Sequence, residues 1–276
     1  MPLWEKGQYY LRKQEVKVVK AFGDEKLEME YNSKRKEYEA LKPFFGREQL
    51  FTKDCTWEAF LKFTDIHPQF LVKPDDTDCG EGIRFFDVKD YSTDDKKKLF
   101  ESLQNEDSII DERIIQHHKL GELCPGSVNT VRFVTVKIEG VVHHVGAALR
   151  MGSGTSIVDN FTAGGVVGAI DITTGIIIAD GEDKKGDRYK EHPFSHVPLK
   201  GFQIPNWEEV LKLVDACAEA YCINYVGWDI GIRENDAVLV EANIRPMIHA
   251  YQVAGNGGKR KVYDQLLKMK VEENNK

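Results

Sequence analysis

The chain has 276 residues, of which 41% are hydrophobic and 30% charged, a composition typical of globular proteins that excludes a disordered, collagen-like or coiled-coil chain. Its formal net charge is −7, from 38 Lys and Arg against 45 Asp and Glu, so we expect no nucleic-acid partner and no binding across the whole surface to an anionic membrane. At roughly 100–200 residues per domain, the length fits one large domain or two closely packed domains.

Targeting signals and cysteine usage both predict a cytoplasmic protein. No window reaches the ~20 apolar residues of a membrane helix, so we expect no membrane span. The N-terminal stretch MPLWEKGQYYLRKQ carries charges where a signal peptide has an apolar core. The five cysteines are an odd number and form no CxxC pair, which indicates reduced thiols. The oligomeric state stays open.

The first half of the chain mixes helices with short strands. Residues up to about 55 are polar and charged, and KRKEYEALKPFF predicts a helix that Pro43 ends. The next predicted elements are a helix over 57–63, a strand over 70–74, a turn-rich loop over 75–82, a strand over 83–88, a helix over 94–104 and a strand beginning at Ile109.

The second half is richer in strands. Its predicted elements are a hairpin over 131–150 that turns at Glu139-Gly140, strands broken by glycines within 156–180, a helix from Asn206 to about 222, strands over 225–232 and 238–244, and a closing helix over 258–270. Asn206 is the predicted N-cap, and Glu209 would complete a capping box. Because the strands cluster in hairpins, we expect an α+β fold with mostly antiparallel sheet.

The most informative motif is a pair of strands near the carboxyl end, YVGWDIGI and VLVEANI, joined by the loop RENDA. A five-residue hairpin loop is common. If the turn is centred on residue 235, Asp229 lies opposite Glu241, and Asn243 points to the same face. Two facing carboxylates repel each other unless a cation lies between them. We therefore predict a Mg²⁺ site, since this ion prefers oxygen ligands and shares them with nucleotide phosphates.

An alternative interpretation makes the same acids two solvated side chains on an exposed strand face. The apolar neighbours of Glu241 in VLVEANI favour a buried strand instead, and a buried carboxylate without a partner is costly.

Basic residues elsewhere suggest where phosphates would bind. Lys73 ends the apolar strand FLVKP beside the loop DTDCGEG, where a lysine and the backbone N–H groups of a glycine turn can approach a phosphate. The sequence lacks the P-loop pattern GxxxxGK[ST], and a lysine on an ordinary surface turn is the alternative.

Two arginines lie on the two arms of the 131–150 hairpin. Arg132 and Arg150 have apolar strand neighbours, and a guanidinium there needs a phosphate or carboxylate partner. A two-residue turn alone would pair residue 132 with residue 147 and put Arg150 on the opposite face. A three-residue loop or a β-bulge would put both arginines on one face, and this is the arrangement that we predict.

Histidine pairs and cysteines do not suggest further chemistry. His117-His118 and His143-His144 are interpreted as strand residues, whose neighbouring side chains point to opposite faces and do not chelate one metal. No cysteine has an evident activating partner.

These pieces in this order resemble the ATP-grasp superfamily, most closely the sugar-transfer-associated ATP-grasp proteins and more distantly the glutamate ligases that modify a ribosomal protein. The matching stretches cover residues 70 to about 250: FLVKPDDTDCGEGI, IIDERIIQHH, PGSVNTVRFVTV, AALRMG, VDNFTAGGVVGAID and VGWDIGI…VLVEANIRP.

The resemblance implies two α+β subdomains with mostly antiparallel sheets that clasp ATP. It implies that Lys73 contacts ATP, that the loop with Asp78, Gly80 and Gly82 covers the phosphates, and that Asp111, Glu112, Arg113 and Ile114 form the hinge against adenine, followed by His117 near ribose or substrate. It also implies that Arg132 and Arg150 bind phosphate or an acyl phosphate, with Asn129 in the same motif, and that Asp229, Glu241 and Asn243 bind Mg²⁺, with Mn²⁺ as the alternative ion.

The chain departs from the family pattern in its first part. About 70 residues precede Lys73, and they are predicted to be helical, whereas ATP-grasp enzymes usually carry an α/β domain there. Lys53 is our candidate for a second ATP-binding lysine. We divide the chain into a mostly helical segment over 1–55, a small ATP-grasp subdomain over 56–112 and a large subdomain with the metal site over 113–276.

The predicted activity is ATP-dependent joining of a small-molecule carboxylate to an amine through an acyl phosphate. The resemblance suggests a sugar acid or a polysaccharide precursor as one substrate. Two alternatives remain, a small-molecule kinase on the same fold and a non-catalytic nucleotide-binding protein.

Overall fold

Two antiparallel sheets with flanking helices make up the described parts of the computed structural model, which are residues 12–75, 81–152, 154, 164–246, 252 and 258–274. Every strand pairing within them is antiparallel, so the predicted α+β class is confirmed. No helix in these ranges is long and apolar enough to cross a membrane.

The smaller sheet has four strands in the order β1-β4-β2-β3. Its strands are β1 (Gln49–Phe51), β2 (Gln69–Pro74), β3 (Arg84–Asp87) and β4 (Ser108–Glu112), and its helices are α4 (Trp57–Ile66) and α5 (Thr93–Leu103). Phe60, Phe63 and Phe70 are fully buried between them. This aromatic core fixes β2, and therefore the position of Lys73 at its end.

The larger sheet has seven strands in the order β11-β10-β5-β6-β7-β8-β9. Its strands are β5 (Thr130–Ile138), β6 (Val141–Met151), β7 (Val166–Ile170), β8 (Gly181–Glu182), β9 (Arg188–Tyr189), β10 (Tyr225–Ile232) and β11 (Ala237–Ile244). The remaining helices of this part are α6 (His118–Leu123), α7 (Trp207–Ala220) and α8 (Arg260–Asn274). The order places β10 between β11 and β5, so side chains from three strands can meet on one face.

Three N-terminal helices pack onto the larger sheet although they precede the smaller one in sequence. They are α1 (Arg12–Phe22), α2 (Glu25–Glu30) and α3 (Lys34–Phe45). Leu41 and Phe45 of α3 belong to the core of the larger sheet, and Glu28 of α2 pairs with Arg245 just past β11. α3 therefore covers β11, the terminal strand, whereas Val18 and Phe22 of α1 pack in a second core with residues of β5 and α8.

Two predicted helix signals are wrong in detail. Pro43 does not end α3 but lies in its last turn. The helix ends at Phe45, and its C-cap Gly46 has a left-handed φ of 58°. Asn206 precedes α7 with a left-handed φ of 50° and makes no side-chain cap. Its amide donates instead to the carbonyls of Arg233 and Glu234, so contacts with the β10–β11 turn replace the predicted capping box.

Candidate nucleotide and metal site

The predicted pairing in the carboxyl-terminal hairpin is confirmed, although the turn differs from the predicted one. Asp229 faces Glu241 across β10 and β11. The loop is one residue shorter than predicted, because Ile232 already pairs with Ala237. A β-bulge at Val240 then shifts the register by one residue and restores the predicted pair.

Asp229 is buried and bound by three side chains. Arg132 donates Nε to Oδ1 and Nη2 to Oδ2, the latter at 2.9 Å. Arg150 donates Nη1 to Oδ2 at 2.7 Å, and the side-chain amide of Asn243 donates to Oδ2 at 3.2 Å. Burial alone would raise the pKa of this carboxyl, but the two guanidinium groups outweigh it and hold the pKa below its usual value. The aspartate is therefore an anion at neutral pH.

Arg132 and Arg150 lie on one face of the larger sheet, as predicted, because a β-bulge shifts the register of their hairpin. The hairpin turns at Glu139-Gly140 with a two-residue loop, and the register then shifts between Val134 and Thr135. As a result Arg132 pairs with Ala148, and Arg150 pairs with Thr130, two residues before Arg132. Residues two apart in a strand share a face, so both guanidinium groups reach Asp229.

Glu241 is the acid of the pair that lacks a strong partner. Burial and the nearby Asp229 raise its pKa above the usual value, while Lys34, Lys73 and Arg132 partly offset them. Among the described residues it accepts no hydrogen bond and forms no ion pair. A carboxylate in this setting is stabilised by an added cation, so Glu241, with Asp229 and the carbonyl of Asn243, fits a divalent metal.

Lys73 lies close to this pair but is held by a different acid. Its ammonium bonds the buried carboxylate of Asp111 on β4, which also binds Arg47. Burial would raise the pKa of Asp111, but Arg47 and Lys73 reverse this and hold the pKa far below its usual value. Because Lys73 also lowers the pKa of Glu241, it lies within electrostatic reach of the hairpin.

Lys34 lies within electrostatic reach of Glu241, and the sequence analysis did not single it out. It begins α3, donates Nζ to the carbonyl of Asp75 at 3.2 Å and lowers the pKa of Glu241. Lys53, our sequence-based candidate, instead donates to the carbonyl of Gln104 at 3.0 Å on an exposed surface. No sequence signal distinguishes Lys34 from the other lysines of the same helix.

The predicted hinge connects the two sheets. Asp111 and Glu112 end β4, Arg113 donates to Gln69 of β2 at 2.6 Å, and the backbone N–H of His117 donates to the carbonyl of Ile232 on β10 at 2.8 Å. Ile114 lies between these anchors in the chain. Binding of adenine or ribose by these residues stays a prediction.

The histidine argument was wrong for one pair. His117 and His118 stand at the start of α6 rather than in a strand, and their rings stack at 4.4 Å beside Glu234. The three ligand atoms lie within 4.8 Å of one another. However, Nδ1 of His117 accepts the N–H of Lys119 at 3.2 Å, which puts the proton of the neutral ring on Nε2 and opposes a metal there.

Asn129 binds the end of β6, the strand that carries Arg150. It is fully buried, and its amide nitrogen donates to Gln116, Leu120 and Cys124. Its carbonyl oxygen accepts the N–H of Gly152, two residues beyond Arg150. This geometry fits a residue that positions the end of β6.

The predicted phosphate loop is described only at its end. Asp78 and Gly80 lie outside the described residues. Gly82 has a φ of 73°, and a Cβ there would lie 2.9 Å from a ring carbon of Pro74, so the backbone just before β3 requires glycine at this position.

Comparisons with known proteins place the chain among ATP-grasp proteins. A family model described as sugar-transfer associated ATP-grasp matches residues 56–268. The resemblance inferred from the motifs is thus confirmed. No curated protein matches the sequence significantly.

Solved structures share the fold at low identity. The ATP-grasp ligase PsnB, solved with a phosphomimetic variant of its minimal precursor, Mg and ADP, has 15% identity and a TM-score of 0.53 over 89% of this chain and 60% of PsnB. Carboxyaminoimidazole ribonucleotide synthase of Aspergillus clavatus, solved with ATP, has 11% identity and a TM-score of 0.50 over 82% of this chain and 49% of that one. The chain thus spans about 60% of PsnB.

Proposed function

Because the chain belongs to the sugar-transfer associated ATP-grasp family, we propose that it is an ATP-dependent ligase that joins a carboxylate to an amine. The observation that carries the proposal is the meeting of Asp229, Glu241 and Asn243 with two arginines on one sheet face. The proposed carboxylate substrate is a sugar acid or a polysaccharide precursor, on the strength of the family resemblance.

The proposed reaction has two steps. A carboxylate oxygen of the substrate attacks the γ-phosphorus of ATP, and the bond to the β,γ-bridging oxygen breaks to release ADP. The amine then attacks the acyl carbon, inorganic phosphate leaves with the bonding electron pair, and the amine loses a proton as the amide forms. No covalent bond to the protein is needed.

Charge stabilisation is the main demand of this chemistry, because negative charge builds up on the transferring oxygens. Arg132 and Arg150 would turn from Asp229 towards the phosphoryl oxygens, and Lys34 and Lys73 would contact the phosphates of the nucleotide. Mg²⁺ bound by Asp229, Glu241 and Asn243 would supply a positive charge shared with the phosphates. Asn129 would keep the end of β6, and with it Arg150, in place.

Two of the five thiols are poor candidates for a protein nucleophile. Burial raises the pKa of Cys55 to about 11, and burial together with Glu37 raises that of Cys217 further. Neither thiol is ionised at neutral pH, so neither is a good nucleophile.

An ADP-release assay tests the proposal. We expect release that needs an acid and an amine together, across a panel of sugar acids and amines, and that Glu241→Gln abolishes. A stable phosphorylated product from one co-substrate would instead indicate a kinase. Tight nucleotide binding without turnover across the panel would indicate a non-catalytic protein.

A further inference from the structure

Arg47 lies outside the part of the chain that the family model matches, residues 56–268, yet it joins both sheets. Its side chain is 1% exposed. Towards the smaller sheet it donates Nε to Oδ1 of Asp111 at 2.6 Å and Nη2 to Oδ2 at 3.1 Å. Towards the larger sheet it donates to the carbonyls of Leu239 and Val240, and a further bond reaches the carbonyl of Phe45. All five N–H donors of the guanidinium are used.

The Asp111 carboxylate is shared between Arg47 and Lys73. Its two oxygens accept from Arg47, from Gln49 Nε2 at 2.8 Å and from the ammonium of Lys73. The side chain of Asp111 is 2% exposed, whereas that of Lys73 is 15% exposed. Lys73 is therefore the partner that can leave towards a ligand, while Arg47 is fixed.

Because Arg47 stays bound to Asp111, it determines the free energy needed to move Lys73 away from that carboxylate. If Asp111 had Lys73 as its single cation, moving the lysine to a phosphate would leave a buried carboxylate without a cation, which is strongly unfavourable. With Arg47 bound through two nitrogens, the carboxylate stays compensated after the lysine moves.

We propose that Arg47 is a positioning residue for nucleotide binding, because it neutralises Asp111 and so frees Lys73 to bind the phosphates. The inference rests on the proposed nucleotide site. The backbone contacts to Leu239 and Val240, beside Glu241, hold Arg47 in place between the sheets.

The test measures affinity for the magnesium complex of a non-hydrolysable ATP analogue by calorimetry, together with the unfolding temperature of each variant. In Arg47→Met, Asp111 keeps the amide of Gln49 but has Lys73 as its one bonded cation among the described residues, and we expect binding to weaken by about tenfold. In Arg47→Met/Asp111→Asn neither charge remains, Lys73 is released, and we expect affinity to return to within about threefold of the wild type. Both variants unfold at lower temperature, because both lose the contacts to β11.

Arg233→Met is the matched control. Arg233 also links the N-terminal segment to the β10–β11 hairpin, since Nη1 donates to the carbonyl of Gly46 at 2.9 Å while the rest of the group pairs with Asp236. It makes no bond to Asp111. We expect lower stability and an affinity within about twofold of the wild type.

The outcomes separate the possible failures. If the double variant binds as weakly as Arg47→Met, Arg47 acts through structure alone and the inference is overturned. If Arg47→Met does not fold, Asp111→Asn decides: binding at least as tight as the wild type supports the release of Lys73, and weaker binding overturns it. If the wild type binds no nucleotide, the proposed function fails and the inference fails with it.

Discussion

Each sheet holds a buried aspartate with two cationic partners, but the surroundings of the two acids differ. Asp111 in the smaller sheet accepts from Arg47, Lys73 and Gln49. Asp229 in the larger sheet is just as well paired, yet it faces Glu241, which accepts no hydrogen bond among the described residues.

We call the group around Asp111 the closed centre, because its carboxylate is fully paired. We call the group around Asp229 and Glu241 the open centre, because Glu241 has no bonded partner among the described residues. In the Asp111 centre both carboxylate oxygens are bound by cations, so its first contribution is to stability and to the placement of Lys73. In the hairpin centre the two acids and two arginines balance in formal charge, but both guanidinium groups bind Asp229 and leave Glu241 without a bonded partner among the described residues. An added cation would therefore stabilise Glu241. Ligand binding should therefore change the hairpin centre much more than the Asp111 centre.

The largest effect is expected when the closed centre is broken. Asp111→Ala leaves Arg47, whose side chain is 1% exposed, buried without an anion, and we expect the free energy of unfolding to fall by about 3–5 kcal/mol. Urea denaturation without ligand measures it. Asp54→Ala removes the partner of Arg35 at a site where Asp54 is 66% exposed, and this control should cost less than about 1 kcal/mol. Equal losses in the two variants would refute the contrast.

At the open centre, one substitution should lower activity without lowering stability. Glu241→Gln removes a buried acid that accepts no hydrogen bond among the described residues and whose pKa is raised, so the free energy of unfolding without ligand should stay equal or rise by about 1 kcal/mol. Turnover in the ADP-release assay should fall by about 10²–10³-fold. Glu208→Gln on the exposed face of α7 serves as the control and should change neither quantity. A large loss of stability in Glu241→Gln would show that this centre is closed as well.

The smallest effect concerns pH. Glu37 of α3 is buried and accepts the N–H of Ala242 at 2.6 Å, and burial, followed by Glu241, raises its pKa well above the usual 4.5. Its contribution to stability is complete below pH 4.5 and is lost as the pH rises through the native pKa. Asp111, whose pKa is lowered, has the opposite sign and loses its contribution as the pH falls.

Glu37→Gln keeps an acceptor for Ala242 and removes the titration. We therefore expect the decline of stability on the alkaline side to flatten, by on the order of 1 kcal/mol at pH 8, while the acid side stays unchanged. Urea denaturation between pH 4 and 9 tests this. An unchanged alkaline slope would mean that Glu37 titrates near its usual value.

The sequence predicted those features of the candidate site that depend on local strand geometry. Alternation along a strand places Asp229, Glu241 and Asn243 on one face, and this pairing holds even though the loop is shorter and a bulge at Val240 compensates. The same alternation required a bulge to bring Arg132 and Arg150 together, and the structure contains one.

Other parts could not be predicted because they depend on distant contacts. Arg47 bonds Leu239, 192 positions away, and no periodicity or spacing encodes such a pair. Pro43 stays within α3 because tertiary packing of Leu41 and Phe45 outweighs the local tendency of proline to end a helix. Lys34 is a surface lysine by its sequence and comes within electrostatic reach of Glu241 only because α3 packs on β11.

One measurement tests the central claim most directly: titration of Mn²⁺ into the protein with ADP, with free ion followed by electron paramagnetic resonance. The account predicts binding in the wild type that Glu241→Gln weakens by at least about 30-fold, with the fold intact. Equal Mn²⁺ affinity in the two proteins would contradict it, because the open hairpin centre would then not be the metal site.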